Sequence, residues 1–145
     1  MEPGWTLASL GVRRGGFMPS FPIMFDHHGD IRWYLDLTHL GGLVFTVERL
    51  ANGNLLIGRG PRINEYDMLG NRVRQWPIPG YSSHHDVIEK KPGGNLIAAV
   101  DKDGIGTVED HIIEIDRQTG AIVKVWDLRE VLDPERTIYS GETVD

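Results

Sequence analysis

The chain has 145 residues, the size of one domain able to bury a reasonable core, and its 21 acidic against 15 basic residues give a formal charge of −6. With no Lys/Arg block, this balance argues against a nucleic-acid footprint or an anionic membrane surface and leaves a small molecule or a protein as partner. The absence of cysteine excludes disulfides, thiolate zinc sites and cysteine nucleophiles.

In chain order, the first sixteen residues, MEPGWTLASLGVRRGG, lack a basic start followed by a sustained apolar core. No run of about 18 apolar residues occurs anywhere, so a soluble chain is expected. FPIMFDHHGDIRWYLDL (21–37) runs apolar residues into Asp26, turns at Gly29 and ends its alternation near Trp33. The same pattern returns in RINEYDMLGNRVRQWPIP (62–79), with Asp67, Gly70 and Trp76, and in HIIEIDRQTGAIVKVWDL (111–128), with Asp116, Gly120 and Trp126. Each reads as a β-hairpin. A second hairpin recurs between them, VFTVERLANGNLLIGRG (44–60) and HDVIEKKPGGNLIAAVD (85–101), turning at 51–54 and 92–95. The one helix expected is DLREVLDPER (127–136), where Asp127 can cap, Glu130 stands three residues later and Pro134 limits the run.

Asp26 to Asp67 is 41 residues, Asp67 to Asp116 is 49 and Asn54 to Asn95 is 41. Four short strands per period of about 40 to 50 residues is the signature of a β-propeller blade. The fold expected is therefore all-β: one partial propeller domain over 1–145, with a half blade at about 21–37 and antiparallel four-stranded blades at about 43–79 and 84–128. A closed propeller needs about four to eight blades. The chain reads as part of a larger propeller, and by itself so short an arc, with open blade faces, is expected to self-associate through them, to curl up or to remain marginal.

The segments GNLLIGRG, INEYDMLGNRVRQWPIPGYSSHHDVIEKKPGGNLIAAVDKDG and DHIIEIDRQTGAIVKVWDL, with the LDPxR sequence of Leu132, Asp133, Pro134 and Arg136, resemble the bacterial arylsulfotransferases over roughly residues 21–136. The resemblance implies a six-bladed propeller. It also implies transfer of a sulfuryl group from an aryl sulfate ester to a phenol through a sulfohistidine, without the nucleotide sulfate donor and with no cofactor. Members of the family are often periplasmic or exported.

His84 and His85 in YSSHHDVI begin the first strand of a blade, the strand that lines a propeller's channel where small-molecule sites form. Regular alternation sends neighbouring strand residues to opposite faces, so one histidine is expected to face the channel and the other the blade packing. The resemblance implies one active-site histidine on this strand. That role falls to His85, with His84 as the alternative, and is a supporting one: binding the sulfate or the phenolic oxygen. Arg136 is a candidate for binding the anion. The family's nucleophilic histidine lies in a later blade and is assigned to no residue here. His27 and His28 read as a solvated hairpin tip, His39 and His111 as loop and strand residues, and the tryptophans as packing. Two other readings stand beside the enzyme: a non-catalytic propeller module for binding or scaffolding, and a metal site of His and Asp, for which no compact ligand spacing exists.

Overall fold

The computed structural model describes residues 4–11, 20–37, 44, 47–105, 111–132, 137–138 and 142–143. Among them the chain is almost entirely β, in the antiparallel sheets of a partial propeller. The first sheet contains β1 (Trp5–Gly11), β2 (Ser20–Asp26) and β3 (Ile31–Tyr34). The second contains β4 (Glu48–Arg49), β5 (Leu55–Arg59), β6 (Arg62–Tyr66) and β7 (Arg72–Pro77). The third contains β8 (Tyr81–Glu89), β9 (Leu96–Lys102), β10 (His111–Ile115) and β11 (Ile122–Asp127). Strands follow chain order within each sheet, and a short pair, β12 (Thr137–Ile138) and β13 (Glu142–Thr143), comes last. The unit expected as a half blade at about 21–37 carries β1 as a third strand, paired along its whole length with β2.

The outer hairpins turn where the Asp–Gly spacing puts them, and the aspartates are the reason. Asp26 Oδ1 accepts from the His28 and Asp30 amides (2.9 and 3.1 Å), Asp67 Oδ1 from Leu69 and Asn71 (2.9 and 2.8 Å), and Asp116 Oδ1 from Gln118 and Thr119 (2.9 and 2.7 Å). A carboxylate that satisfies turn amides gives the backbone a local alternative to the ladder and ends the strand. Gly70 then takes φ 87°, where a side chain would be strained and would also meet Leu35 Cδ1.

Two apolar clusters lie between the sheets. Met24, Leu37, Leu55, Ile57 and Tyr66 join the first sheet to the second. Leu56, Ile63, Trp76, Leu96, Val100 and Ile113 are among those joining the second to the third. Trp33 and Trp76 belong to this packing and also bond across it. Trp33 donates its indole N–H to the Met68 carbonyl and Trp76 to the Arg117 carbonyl, each at 3.0 Å.

Of the short helix expected near the C-terminus, over 127–136, the described residues contain a 3-10 turn. β11 runs through Asp127, which pairs with His111, and only a 3-10 turn follows at Leu128–Glu130. Asp127 caps it as expected, its side chain accepting from the Arg129 amide, but the turn buries no residue. Without an apolar face to pack, so short a segment has little to extend it into an α-helix. Residues 133–136 lie outside the described residues. No helix among the described residues is long and apolar enough to cross a membrane.

Candidate functional site

β8 forms one edge of the third sheet, where its neighbour is β9. Its beginning is also clamped by the second sheet. The Gly60 amide donates to the Ser83 carbonyl (3.0 Å) and the Ser83 amide to the Gly60 carbonyl (2.7 Å). Gly58 lies beneath the buried Ser83 side chain, so close that a Cβ on Gly58 would overlap Ser83 Oγ. A glycine at 58 is therefore what lets β5 and β8 approach here.

Directly after this clamp the ladder breaks. Ser83 pairs with Val100 and Val87 with Ala98, so His84, His85 and Asp86 together stand opposite the single residue Ala99. This is a bulge with two extra residues, a device that bends a strand and re-aims its side chains. It overturns the expected alternation of the two histidines. Their rings are in edge-to-face contact, with centroids 4.7 Å apart and planes at 85°. They do not lie on opposite faces of a regular strand.

The two rings differ in setting. The His84 side chain is 17% exposed and its Nε2 lies 3.0 Å from Asp101 Oδ1, without the alignment of a hydrogen bond. Asp101 sits near the end of β9, opposite Ser82, so the carboxylate reaches the bulge from the paired strand. His85 is exposed, as is Asp86. The arrangement is a series: Asp101 lies against His84, and the His84 ring contacts that of the more accessible His85.

The remaining candidates are dispersed. Arg136 and His39 lie outside the described residues. His27 and His28 are exposed at the β2–β3 turn with their rings 3.8 Å apart. His111 is buried on β10, edge-on to Tyr81 at 5.8 Å, with Nε2 3.5 Å from Asp127 Oδ2. The Arg129 side chain, by hydrogen bonding, holds the Asp127 carboxyl well below the usual aspartate range. Among the described residues, no group of three or more His, Asp and Glu side chains is placed to hold a metal ion.

A basic cleft escaped the sequence reading. Arg59, Arg62, Asn64, Tyr66, Arg72 and Gln75 line a space of about 230 Å³ on the second sheet, together with Gly60 and Pro61. Gly60, at one end of the cleft, pairs with Ser83, while Tyr66 and Arg72 lie next to the Asp67 turn at the other end. Burial leaves Arg59 Nη1 without a hydrogen-bond partner and raises the Tyr66 hydroxyl above its ordinary value. In a chain of net charge −6, three arginines among the residues lining one cleft make a local setting suited to an anion. Strand pairing sets Arg59 opposite Arg62 and Arg72 opposite Tyr66, so residues of three strands line the cleft.

Comparison with known proteins agrees with this architecture. The family profile described as arylsulfotransferase (ASST) matches residues 14–143. The arylsulfate sulfotransferase AssT of Escherichia coli O6:H1 is 30% identical over 141 residues, covering 83% of this chain and 23% of that protein. The AssT of Lelliottia amnigena is 28% identical over 140 residues, with the same coverage of 83% and 23%. The chain thus spans less than a quarter of the length of these curated relatives. Among solved structures, a Bacteroides caccae protein of unknown function aligns with a TM-score of 0.37 at 11% identity, over 78% of this chain and 57% of that one. With the profile matched over nearly its whole length, on propeller sheets that carry the SSHHD strand, the chain belongs to the arylsulfotransferase family.

Proposed function

We propose that this chain supplies one wall of the active centre of an aryl-sulfate-dependent sulfotransferase, with His85 as a supporting group and His84 as its positioning neighbour. In the reaction the family resemblance implies, an imidazole nitrogen attacks the ester sulfur, the bond from sulfur to the aryl oxygen breaks, and a phenolate leaves. A second phenol then attacks sulfur, the S–N bond breaks, and the phenolic proton passes to a base. Charge gathers on the peripheral sulfuryl oxygens and on the departing oxygen, and positioned donors stabilise it. His85 would donate to one of those oxygens. The nucleophile is assigned to no residue of this chain, and neither a nucleotide donor nor a cofactor is called for.

One observation carries this reading: the bulge at the start of β8 sets His84 against Asp101 and leaves the His85 ring beside it, exposed. NMR of the imidazole protons during titration with 4-nitrophenyl sulfate tests it. A saturable shift of the His85 ring, larger than that of His84, is expected. A second reading is a non-catalytic β-propeller module for binding or scaffolding. An unmoved His85 in a folded chain selects that module and overturns the enzyme reading.

A further inference from the structure

The basic cleft follows from the register of the second sheet. Along β5, alternation puts Leu55, Ile57 and Arg59 on one side of the strand. Their direct partners on β6 are Tyr66, Asn64 and Arg62, and beyond these stand Arg72 and Gln75 of β7. Leu55, Ile57 and Tyr66 pack against the first sheet, so the polar residues share the face that carries this packing. Tyr66 belongs to both, as a member of the apolar cluster that also lines the cleft.

Three polar groups in the cleft stand unsatisfied. Arg59 Nη1 is buried without a hydrogen bond. Asn64 is 5% and Tyr66 3% exposed, and among the described residues neither side chain makes a hydrogen bond. Buried polar groups are nearly always paired, so several such donors around one space make a place for an acceptor. A guanidinium nitrogen is the costliest of them to leave unpaired.

The charges agree with this. Arg32 is committed to Asp26, Arg117 to Glu65 and Arg129 to Asp127, whereas among the described residues no carboxylate pairs with Arg59, Arg62 or Arg72. Arg62 and Arg72 are exposed and so accessible to an ion arriving from solvent. Burial raises the Tyr66 hydroxyl against the nearby charges of Arg72 and Arg59, which keeps it a donor at neutral pH.

We infer that this cleft binds a small tetrahedral oxyanion, a sulfate or phosphate group either free or as the head of an ester, with Arg59, Arg62 and Arg72 as its countercharges and Tyr66 and Asn64 as neutral donors. A space of about 230 Å³ lies below the ~300–1,000 Å³ usual for drug-sized ligands and suits such an ion. A tetrahedral oxyanion offers acceptors on every side and can take donors from β5, β6 and β7 together, whereas a planar carboxylate is served by one arginine fork. The site uses none of His84, His85 and Asp101, and it is independent of the proposed sulfotransferase chemistry.

Amide NMR of the intact chain tests this, with sodium sulfate, sodium phosphate and 4-nitrophenyl sulfate titrated separately at constant ionic strength. Saturable shifts across residues 59–66 and 72–75 are expected, with millimolar or tighter midpoints. Arg59→Lys keeps a positive charge but loses the fork, and should weaken binding about tenfold or more. Arg72→Gln, at an exposed position, should also weaken it and leave the rest of the spectrum in place. Arg49→Gln removes one exposed positive charge from β4, outside the cleft, and should leave the midpoint unchanged. Shifts with the free ions alone identify an ion site, and shifts with 4-nitrophenyl sulfate as well identify one open to esters; both support the inference. No saturable shift with any of the three probes, undiminished binding in either cleft variant, or an equal loss in Arg49→Gln overturns it.

Discussion

Gly58 on β5 and Ser83 on β8 are packed so closely that the serine hydroxyl occupies the space a Cβ on residue 58 would need. The second sheet thereby sets the height of the strand that carries the histidines. Gly58→Ala has to push Ser83 away, against the paired backbone bonds of Gly60 and Ser83. Overpacking of this kind costs about 1–3 kcal/mol. Urea denaturation should show a loss in that range, with altered chemical shifts at His84 and His85. A spectrum identical to wild type beyond residue 58 would mean that β8 is placed by its own sheet.

Trp76 contributes both buried area and a bond, and the two are separable. It is 1% exposed and donates to the Arg117 carbonyl. Trp76→Phe keeps most of the ring and loses the donor, for an expected cost of about 1 kcal/mol plus a small cavity term. Trp76→Ala removes the packing as well and should cost about 3–5 kcal/mol. Equal losses for the two variants in chemical denaturation would show that the hydrogen bond, not the ring volume, dominates this junction.

Arg117 crosses from the third sheet to the second and lies between Glu65 and Glu89, with all three side chains nearly buried. Burial alone would raise the Glu89 carboxyl, but hydrogen bonds from the Ala51 amide, the Arg117 side chain and the Gly93 amide outweigh it and hold Glu89 below the usual glutamate value. A carboxyl lowered in the folded state contributes stability above its unfolded value of about 4.3 and loses it as pH falls through the folded value. Arg117→Met leaves two buried carboxylates without their cation and should cost about 3 kcal/mol at neutral pH. The same variant should lose less stability on acidification than the wild type. Parallel pH profiles for the two chains would place the acid sensitivity elsewhere.

The outer hairpins were legible in sequence because each of their structural causes is local: an aspartate that binds its own turn amides, a glycine with positive φ, and an alternating run that ends on tryptophan. β1 was harder to see. WTLASLG has no such turn beside it, and its role comes from pairing with β2 across residues 12–19. Over 127–132 the sequence suggests more helix than the 3-10 turn at Leu128–Glu130, because its capping residues are local, whereas the lack of a buried face on that turn is a tertiary fact. The bulge at His84, His85 and Asp86 is also invisible to alternation, which assumes one residue opposite one. Its cause is non-local, since Ser83 is held by Gly60 on one side and Val87 by Ala98 on the other. The strand with the candidate histidines could therefore be named in advance, but not the direction in which their rings point.

That direction governs the last prediction, which concerns a full-length propeller carrying this segment. His85 is exposed and its contribution to the core is small, so His85→Ala should change stability by about 1 kcal/mol or less. If it donates to a sulfuryl or phenolic oxygen in the transition state, the same change should lower transfer about 10²–10³-fold. His84→Ala should act differently, because His84 touches both Asp101 and the His85 ring. Its loss removes the ring that packs against His85 and the imidazole 3.0 Å from Asp101, so a smaller loss of kcat is expected, with a measurable drop in stability. Asp101→Asn keeps the shape of that contact while removing its charge, and should fall between wild type and His84→Ala on both measures. Steady-state transfer from 4-nitrophenyl sulfate to phenol, measured beside urea denaturation for each variant, separates the roles. A severe loss with His84→Ala and none with His85→Ala exchanges the two assignments, whereas transfer intact in both, on a stable fold, makes the bulge a structural feature of the strand.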